Sequence, residues 1–174
     1  APQVMPALDS DMADLVREHI EAQGVDVITG DSVASLEGGR FATKAVLKGG
    51  TELAADMIIM AVGVRPNVSL ARQAGLNLGA TGAIAVNKAM ETSVADIYAC
   101  GDCAESYSVV TGKPFYRPLG STANKMGRVV GIQVSGGSLE FQGGLGTGIF
   151  KLFDLAVAQT GLTAKEALKE GFDI

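Results

Sequence analysis

The chain has 174 residues, 47% of them hydrophobic and 19% charged, with a formal net charge of −5. That composition supports a folded, apolar-rich protein and excludes a disordered one, and the acidic balance leaves no electrostatic footprint for nucleic acid. No apolar run approaches the roughly 18 residues of a membrane span, because Met57–Val64 is cut short by Arg65 and Pro66.

In chain order, Asp9-Ser10-Asp11 offers a cap and an acidic first turn for a helix running to Gln23. Met12, Leu15, Val16 and Ile20 would share its apolar face, with Gly24 just past the end. His19 lies in the polar stretch Arg17-Glu18-His19 and reads as a solvated surface residue. Residues 25–29 read as a strand. Three short strands follow near 32–37, 41–48 and 51–54, separated by Gly38-Gly39 and Gly49-Gly50, glycine pairs at hairpin spacing. The next segment, 57–62, is apolar at every position, the pattern of a strand buried on both faces of a parallel sheet. Gly63 then permits a bend and Pro66 stops the strand.

From Asn67 the chain changes character, with a short helix near 69–74, a loop containing Gly75, Gly79 and Gly82, and a strand over 84–87. The run Thr92 to Asp102 is the most informative, a β-branched and aromatic strand that stops on Gly101-Asp102. A glycine there lets a ligand approach the backbone, and a carboxylate at the end of a strand can accept hydrogen bonds from a sugar-like chain; a plain turn fits the same residues. Cys100 and Cys103 bracket this pair as Cys-x-x-Cys. A redox pair of that spacing belongs at a helix N-terminus and zinc would need two more ligands, so the preferred reading is two buried, reduced thiols.

Residues 106–116 read as a hairpin with its tip at Thr111-Gly112-Lys113. Pro118 opens a helix to about Val134, ended by Gly136-Gly137; Gly120, Ala123, Gly127 and Gly131 keep one of its faces slim, and for Gly127 and Gly131 packing against another helix is preferred. Short strands and Gly-rich turns alternate over 143–160, and Thr163 caps a last helix to Glu170.

Three of these segments together resemble the FAD- and NAD(P)H-dependent pyridine nucleotide-disulfide oxidoreductases, within the branch of coenzyme A-disulfide reductases, NADH oxidases and persulfide reductases. Thr92 to Asp102 resembles the second FAD motif of that family, and Gly63 to Pro66 the joint between its NAD and FAD domains. Thr160-Gly161-Leu162-Thr163, following residues 148–154, resembles the opening of its C-terminal interface domain. The resemblance implies an α/β chain: partial Rossmann-like FAD/NAD(P)-binding folds with a three-stranded antiparallel meander, then the start of an α+β dimerisation domain. The implied division is 1–66, the C-terminal half of the NAD(P)-binding domain; 67–142, the second segment of the FAD-binding domain; and 143–174, the truncated beginning of the dimerisation domain.

The resemblance further implies FAD at Gly101 and Asp102, which would hold the ribityl chain, and at Leu119, Gly120, Ser121 and Ala123, which would flank the flavin ring. NAD(P)H would meet the backbone of Val62, Gly63 and Val64. The family's redox cysteine lies upstream, so no catalytic residue is expected among these 174, and no metal ligand either. No Gly-x-Gly-x-x-Gly opens a helix here, which marks the chain as an internal piece of a longer enzyme. The expectation is a fragment of a cytoplasmic, homodimeric flavoprotein passing a hydride from NAD(P)H through FAD to a disulfide, persulfide or dioxygen, with no nucleic-acid or membrane partner. The alternative is a non-enzymatic interaction or regulatory module in which the same elements are structural only.

Overall fold

Glycine turns and β-branched residues organise the first part of the chain around an antiparallel meander, β1 (Val33–Gly38), β2 (Ala42–Leu47) and β3 (Glu52–Ala54), preceded by helix α1 (Ser10–Ala22). The remaining elements are α2 (Ser69–Gln73), β4 (Ser106–Tyr107), β5 (Pro114–Phe115), α3 (Gly120–Val134), β6 (Gly148–Leu152), β7 (Leu155–Gln159) and α4 (Ala164–Lys169). This is a computed structural model, and it describes residues 1–174. The chain divides into two compact units, Ala1–Gly63 with Phe150–Val157 and Thr163–Ile174, and Val64–Ile149 with Ala158–Leu162. No helix is long and apolar enough to cross a membrane.

In the first unit the meander is read correctly from its glycines. Leu36 pairs with Ala45 and Ala45 with Leu53, so the register carries one face through all three strands. Gly38 cannot be replaced without moving the backbone, because a Cβ there would stand 2.1 Å from the Phe41 carbonyl oxygen. The Lys44 ammonium lies 3.1 Å from Glu37 and 3.0 Å from Glu52, bridging β1, β2 and β3. Those carboxylates, Glu52 first, raise its pKa above the usual lysine value.

Helix α1 buries a narrower stripe than its periodicity suggests. Ala13 and Val16 are buried and Ile20 is half-buried, an i, i+3, i+7 line, while Met12 and Leu15 flank it at 51% and 58% exposure. Asp9 does not cap α1 with its side chain. Its carboxylate instead accepts from the Ala164 N–H at 2.9 Å and the Lys165 N–H at 3.5 Å, the first turn of α4. That helix also has its own capping box, Thr163 with Glu166. His19 is half-buried at the surface and not freely solvated: its ring is tilted against Phe153 at 6.2 Å, and Nε2 lies 3.0 Å from Asp154 Oδ1 at the β6–β7 turn.

Two expected strands of this unit do not form. Residues 25–29 run without a partner strand, held by isolated bonds such as Val25 N–H to Ile20 and Gly30 N–H to Ala1. Residues 57–62, expected to be buried on both faces, form no strand and are unpaired; Ile58 is half-buried and the rest are exposed, Ile59 at 82% and Val62 at 85%. The physical reason is plain in the hydrogen bonds: nothing in the chain pairs with the backbone of residues 57–66, and an unpaired strand has no face to bury against.

The second unit has the larger core. Met126 and Val129 of α3 pack with Ala71 of α2 and with Ile84, Val86, Met90, Ala99, Ala104 and Phe141 from the loops. The hairpin of β4 and β5 forms as read, with Ser106 opposite Phe115. Gly127 and Gly131 do not serve close packing within the chain, since a Cβ at either would meet nothing within 4 Å. The expected strand over 84–87 is reduced to bridges from Ile84 to Leu78 and Ala104. The expected strand from Thr92 is shortened by a turn: Thr92 N–H donates to Ile97, the Val94 N–H donates to the Thr92 hydroxyl, and Asp96 takes a φ of 64°. A threonine whose hydroxyl serves the backbone two residues on favours a turn over a ladder. Only residues 98–100 remain extended, joined by the Glu91–Tyr98 bridge and the Ala99 N–H to Met90.

Candidate functional site

The short extended stretch ends in the turn that carries Gly101 and Asp102. Gly101 has a φ of 81°, and the Ala104 N–H closes the turn by donating to the Gly101 carbonyl at 3.1 Å. A Cβ on Gly101 would meet only the Ala123 Cβ at 3.8 Å, so conformation and not space requires the glycine. The turn is fixed from below by Cys103, whose carbonyl accepts from the Ile84 N–H at 2.9 Å. From the side, the Tyr116 hydroxyl donates to the Asp102 carbonyl at 2.9 Å. The Asp102 side chain is exposed and has no hydrogen-bond or ion-pair partner in the chain.

Gly101 therefore sits beside the first turn of α3. That helix begins at Leu119 as N-cap, with no side-chain cap and no acidic residue in its first turn. Gly120 and Ser121 are exposed, Leu119 and Ala123 half-buried. The free N–H groups of such a terminus carry roughly half a positive charge. An unpartnered carboxylate and an uncapped helix terminus thus adjoin, a pairing that suits a ligand with hydroxyls to donate and negative charge to be held.

Val62, Gly63 and Val64 stand on the exposed segment where the first unit gives way to the second. Gly63 takes a φ of 88° with nothing near a would-be Cβ, and the backbone N–H and C=O groups of all three residues are open to a ligand.

The two thiols are free and half-buried at the edge of the second core. Cys103 Sγ points at the Cys100 carbonyl at 3.5 Å. Burial, and then the neighbouring Cys103, push the Cys100 thiol above its ordinary pKa, which is opposite to what activates a nucleophilic cysteine.

Two contributors escape a reading of the sequence. Tyr116 clips the Asp102 turn, and nothing in its surroundings in sequence marks it. Glu105 is 4% exposed and accepts from the Thr81 N–H at 2.9 Å and the Thr81 hydroxyl at 2.8 Å, tying the Gly79–Gly82 loop to the site. Its sequence surroundings, Asp102 before and Ser106 and Ser108 after, are polar, so nothing there marks Glu105 as buried.

Comparison with known proteins bears on this arrangement. A family model described as pyridine nucleotide-disulphide oxidoreductase matches residues 1–127. A CoA-dependent NAD(P)H sulfur oxidoreductase of Pyrococcus furiosus is 44% identical over 166 residues, covering 95% of this chain and 37% of that protein. Among solved structures, an NAD-dependent persulfide reductase from A. fulgidus superimposes with a TM-score of 0.93 at 42% identity, over 99% of this chain and 32% of that one. An FAD-dependent pyridine nucleotide-disulphide oxidoreductase from Desulfovibrio vulgaris does so with a TM-score of 0.91 at 42% identity, over 99% of this chain and 44% of that one. The chain thus spans about a third to under half of the length of these relatives.

Proposed function

The chain belongs to the pyridine nucleotide-disulphide oxidoreductase family, and on that premise we propose that it is the part of a flavoprotein that carries one side of the FAD site and one side of the nicotinamide site. The whole enzyme would pass a hydride from NAD(P)H through FAD to a disulfide or persulfide. In this reading residues 1–66 belong to the NAD(P)-binding domain, 67–142 to the FAD-binding domain and 143–174 to the start of a dimerisation domain. The enzyme would act as a cytoplasmic homodimer, and two reduced, half-buried thiols suit a reducing compartment.

The observation that carries the proposal is the exposed, unpartnered Asp102 carboxylate on a braced turn beside the uncapped first turn of α3. Those residues fit FAD. Asp102 would accept hydrogen bonds from the ribityl hydroxyls, with Gly101 leaving the backbone open beside it. The free N–H groups of the first turn, at Gly120 and Ser121, would favour negative charge on the adjacent ring edge, with Leu119 and Ala123 flanking the ring. Val62, Gly63 and Val64 would meet the nicotinamide through free backbone groups. Bound there, FAD would supply the hydride acceptor.

In the flavin-loaded enzyme, Asp102→Ala removes charge-assisted hydrogen bonds worth about 1.5–3 kcal/mol, so flavin affinity should fall roughly ten- to a hundredfold. The flavin content of the purified variant reads this directly. Full occupancy at unchanged affinity would take Asp102 out of the site. Loss of flavin with dioxygen as the better acceptor in the parent would keep the site and change the substrate.

A further inference from the structure

His19 is the chain's one histidine, so it is the one side chain whose ordinary charge change falls between about pH 5.5 and 7.5. It stands in the last turn of α1, where the free carbonyls of the helix end favour a positive ring. Its Nε2 atom is buried and lies 3.0 Å from Asp154 Oδ1, yet the two are not aligned as a hydrogen bond. That contact therefore rests on charge: a protonated ring attracts the carboxylate, and a neutral ring without an aligned N–H does not. On α1 the residues that share the ring's face, Leu15, Val16, Ala22 and Gln23, carry no charge, and the nearby Arg17 is paired with Asp14 at 3.6 Å. Glu18, next in the chain, does not share that face. From the β6–β7 turn the facing residues are Phe153, whose ring tilts against the imidazole at 6.2 Å, and Asp154.

We propose that His19 and Asp154 form a proton-operated latch that holds the β6–β7 turn on α1. Phe153 takes a φ of 53°, which a residue with a Cβ adopts at some cost, so the turn gains from an outside restraint. The other end of α1 is tied separately, Asp9 accepting from the first turn of α4. All of these residues belong to the first unit. Opening the latch thus frees one end of the contact between α1 and the C-terminal elements while the other end stays fixed. The sign follows from charge. A carboxylate is ionised above about pH 5 and an imidazole is charged below about pH 6.5, so the latch is closed in mild acid and opens as the pH rises. Its stabilisation is present below that range and lost above it. None of this involves Asp102 or Val62–Val64, so its failure would leave the flavin reading untouched, and the reverse holds too.

The test is a double-mutant cycle of urea unfolding on the full chain, at one low chain concentration, with Asp154→Asn, His19→Gln and the two combined. The Asp154 side chain is 86% exposed, so its replacement leaves the fold in place. At about pH 5.5, Asp154→Asn should raise the unfolding equilibrium constant about two- to fivefold where His19 is kept, the range for an exposed ion pair. With His19→Gln already present the same change should be silent, and at about pH 7.5 it should be silent in both backgrounds. A local readout accompanies it: NMR cross-relaxation between the His19 and Phe153 rings should be stronger at the lower pH, and Asp154→Asn should remove that difference. An equal cost of Asp154→Asn at both pH values, the same cost in the His19→Gln chain, or a ring contact that ignores pH would each overturn the proposal.

Discussion

At the scale of single residues, the best-determined contact near the candidate site is the Glu105 carboxylate against the 79–82 loop. A Cβ on Gly79 would lie 1.9 Å from Glu105 Oε2, closer than any relaxed contact allows, and the Glu105 side chain has no open space to retreat into at 4% exposure. Gly79→Ala should therefore cost about 1–3 kcal/mol, the range for overpacking a filled interior. Glu105→Ala should cost a similar amount by stranding the Thr81 N–H, while Glu105→Gln, which keeps an acceptor, should cost less. Urea midpoints of the three variants rank these effects, and a neutral Gly79→Ala would refute the close approach.

The Cys100 thiol yields a pH prediction. Its folded pKa is raised, so the folded chain holds that proton more tightly than the unfolded chain does. The sign follows: stability is unaffected below the ordinary thiol range and falls as pH rises through it, above about pH 8.5. Tyr107, also raised by burial, adds to the fall at higher pH. Cys100→Ala should flatten the first part of that decline in unfolding midpoints, and the Cys100→Ala, Cys103→Ala double variant should leave reductase turnover of the whole enzyme largely intact. Loss of disulfide reduction with flavin still bound would make this Cys-x-x-Cys the redox pair.

At the scale of elements, local chemistry was legible and long-range pairing was not. The meander could be read because Gly38-Gly39 and Gly49-Gly50 encode its turns locally, and α4 because Thr163 and Glu166 form a box within one turn. The candidate FAD residues could be read as a set, since Gly101 and Asp102 announce a turn and Pro118 a helix start, but their adjacency through Ala123 and Tyr116 could not. Residues 57–62 and 92–97 were misread for opposite reasons. The first has the composition of a buried strand and no partner in the chain; the second has strand formers, yet its Thr92 hydroxyl and Asp96 conformation favour a turn.

The link between Asp9 and α4 shows the same limit at its extreme, because 155 residues separate Asp9 from Ala164. An aspartate just before a helix reads as that helix's cap, and here it serves another helix. Asp9→Ala should cost about 1 kcal/mol and speed amide exchange at Ala164 and Lys165 roughly fivefold, with α1 little changed. Asp9→Asn should recover most of the protection. If exchange in α1 rose and α4 did not, Asp9 would be capping its own helix after all.

At the scale of the whole molecule, the governing feature is apolar surface without cover. Met57, Ile59, Met60, Val62 and Val64 are 70–85% exposed along one continuous segment, and its backbone groups are unpaired. Such a segment is both an apolar patch and a strand edge, each of which favours association. The 174-residue chain should therefore self-associate in solution, and Ile59→Lys with Val62→Lys should shift it toward the monomer, because lysines on an edge oppose pairing. The same chain should bind FAD more weakly than micromolar even as a monomer: in the proposed site Asp102 and the α3 terminus would meet only the ribityl chain and the ring, and no Gly-x-Gly-x-x-Gly turn is present to take the pyrophosphate. Light-scattering mass and a flavin titration of wild-type and double-lysine chains separate the two effects. A clean wild-type monomer would show that the 57–64 segment finds cover unaided, and micromolar FAD binding by either chain would show that the Asp102 turn and α3 suffice without a phosphate cradle.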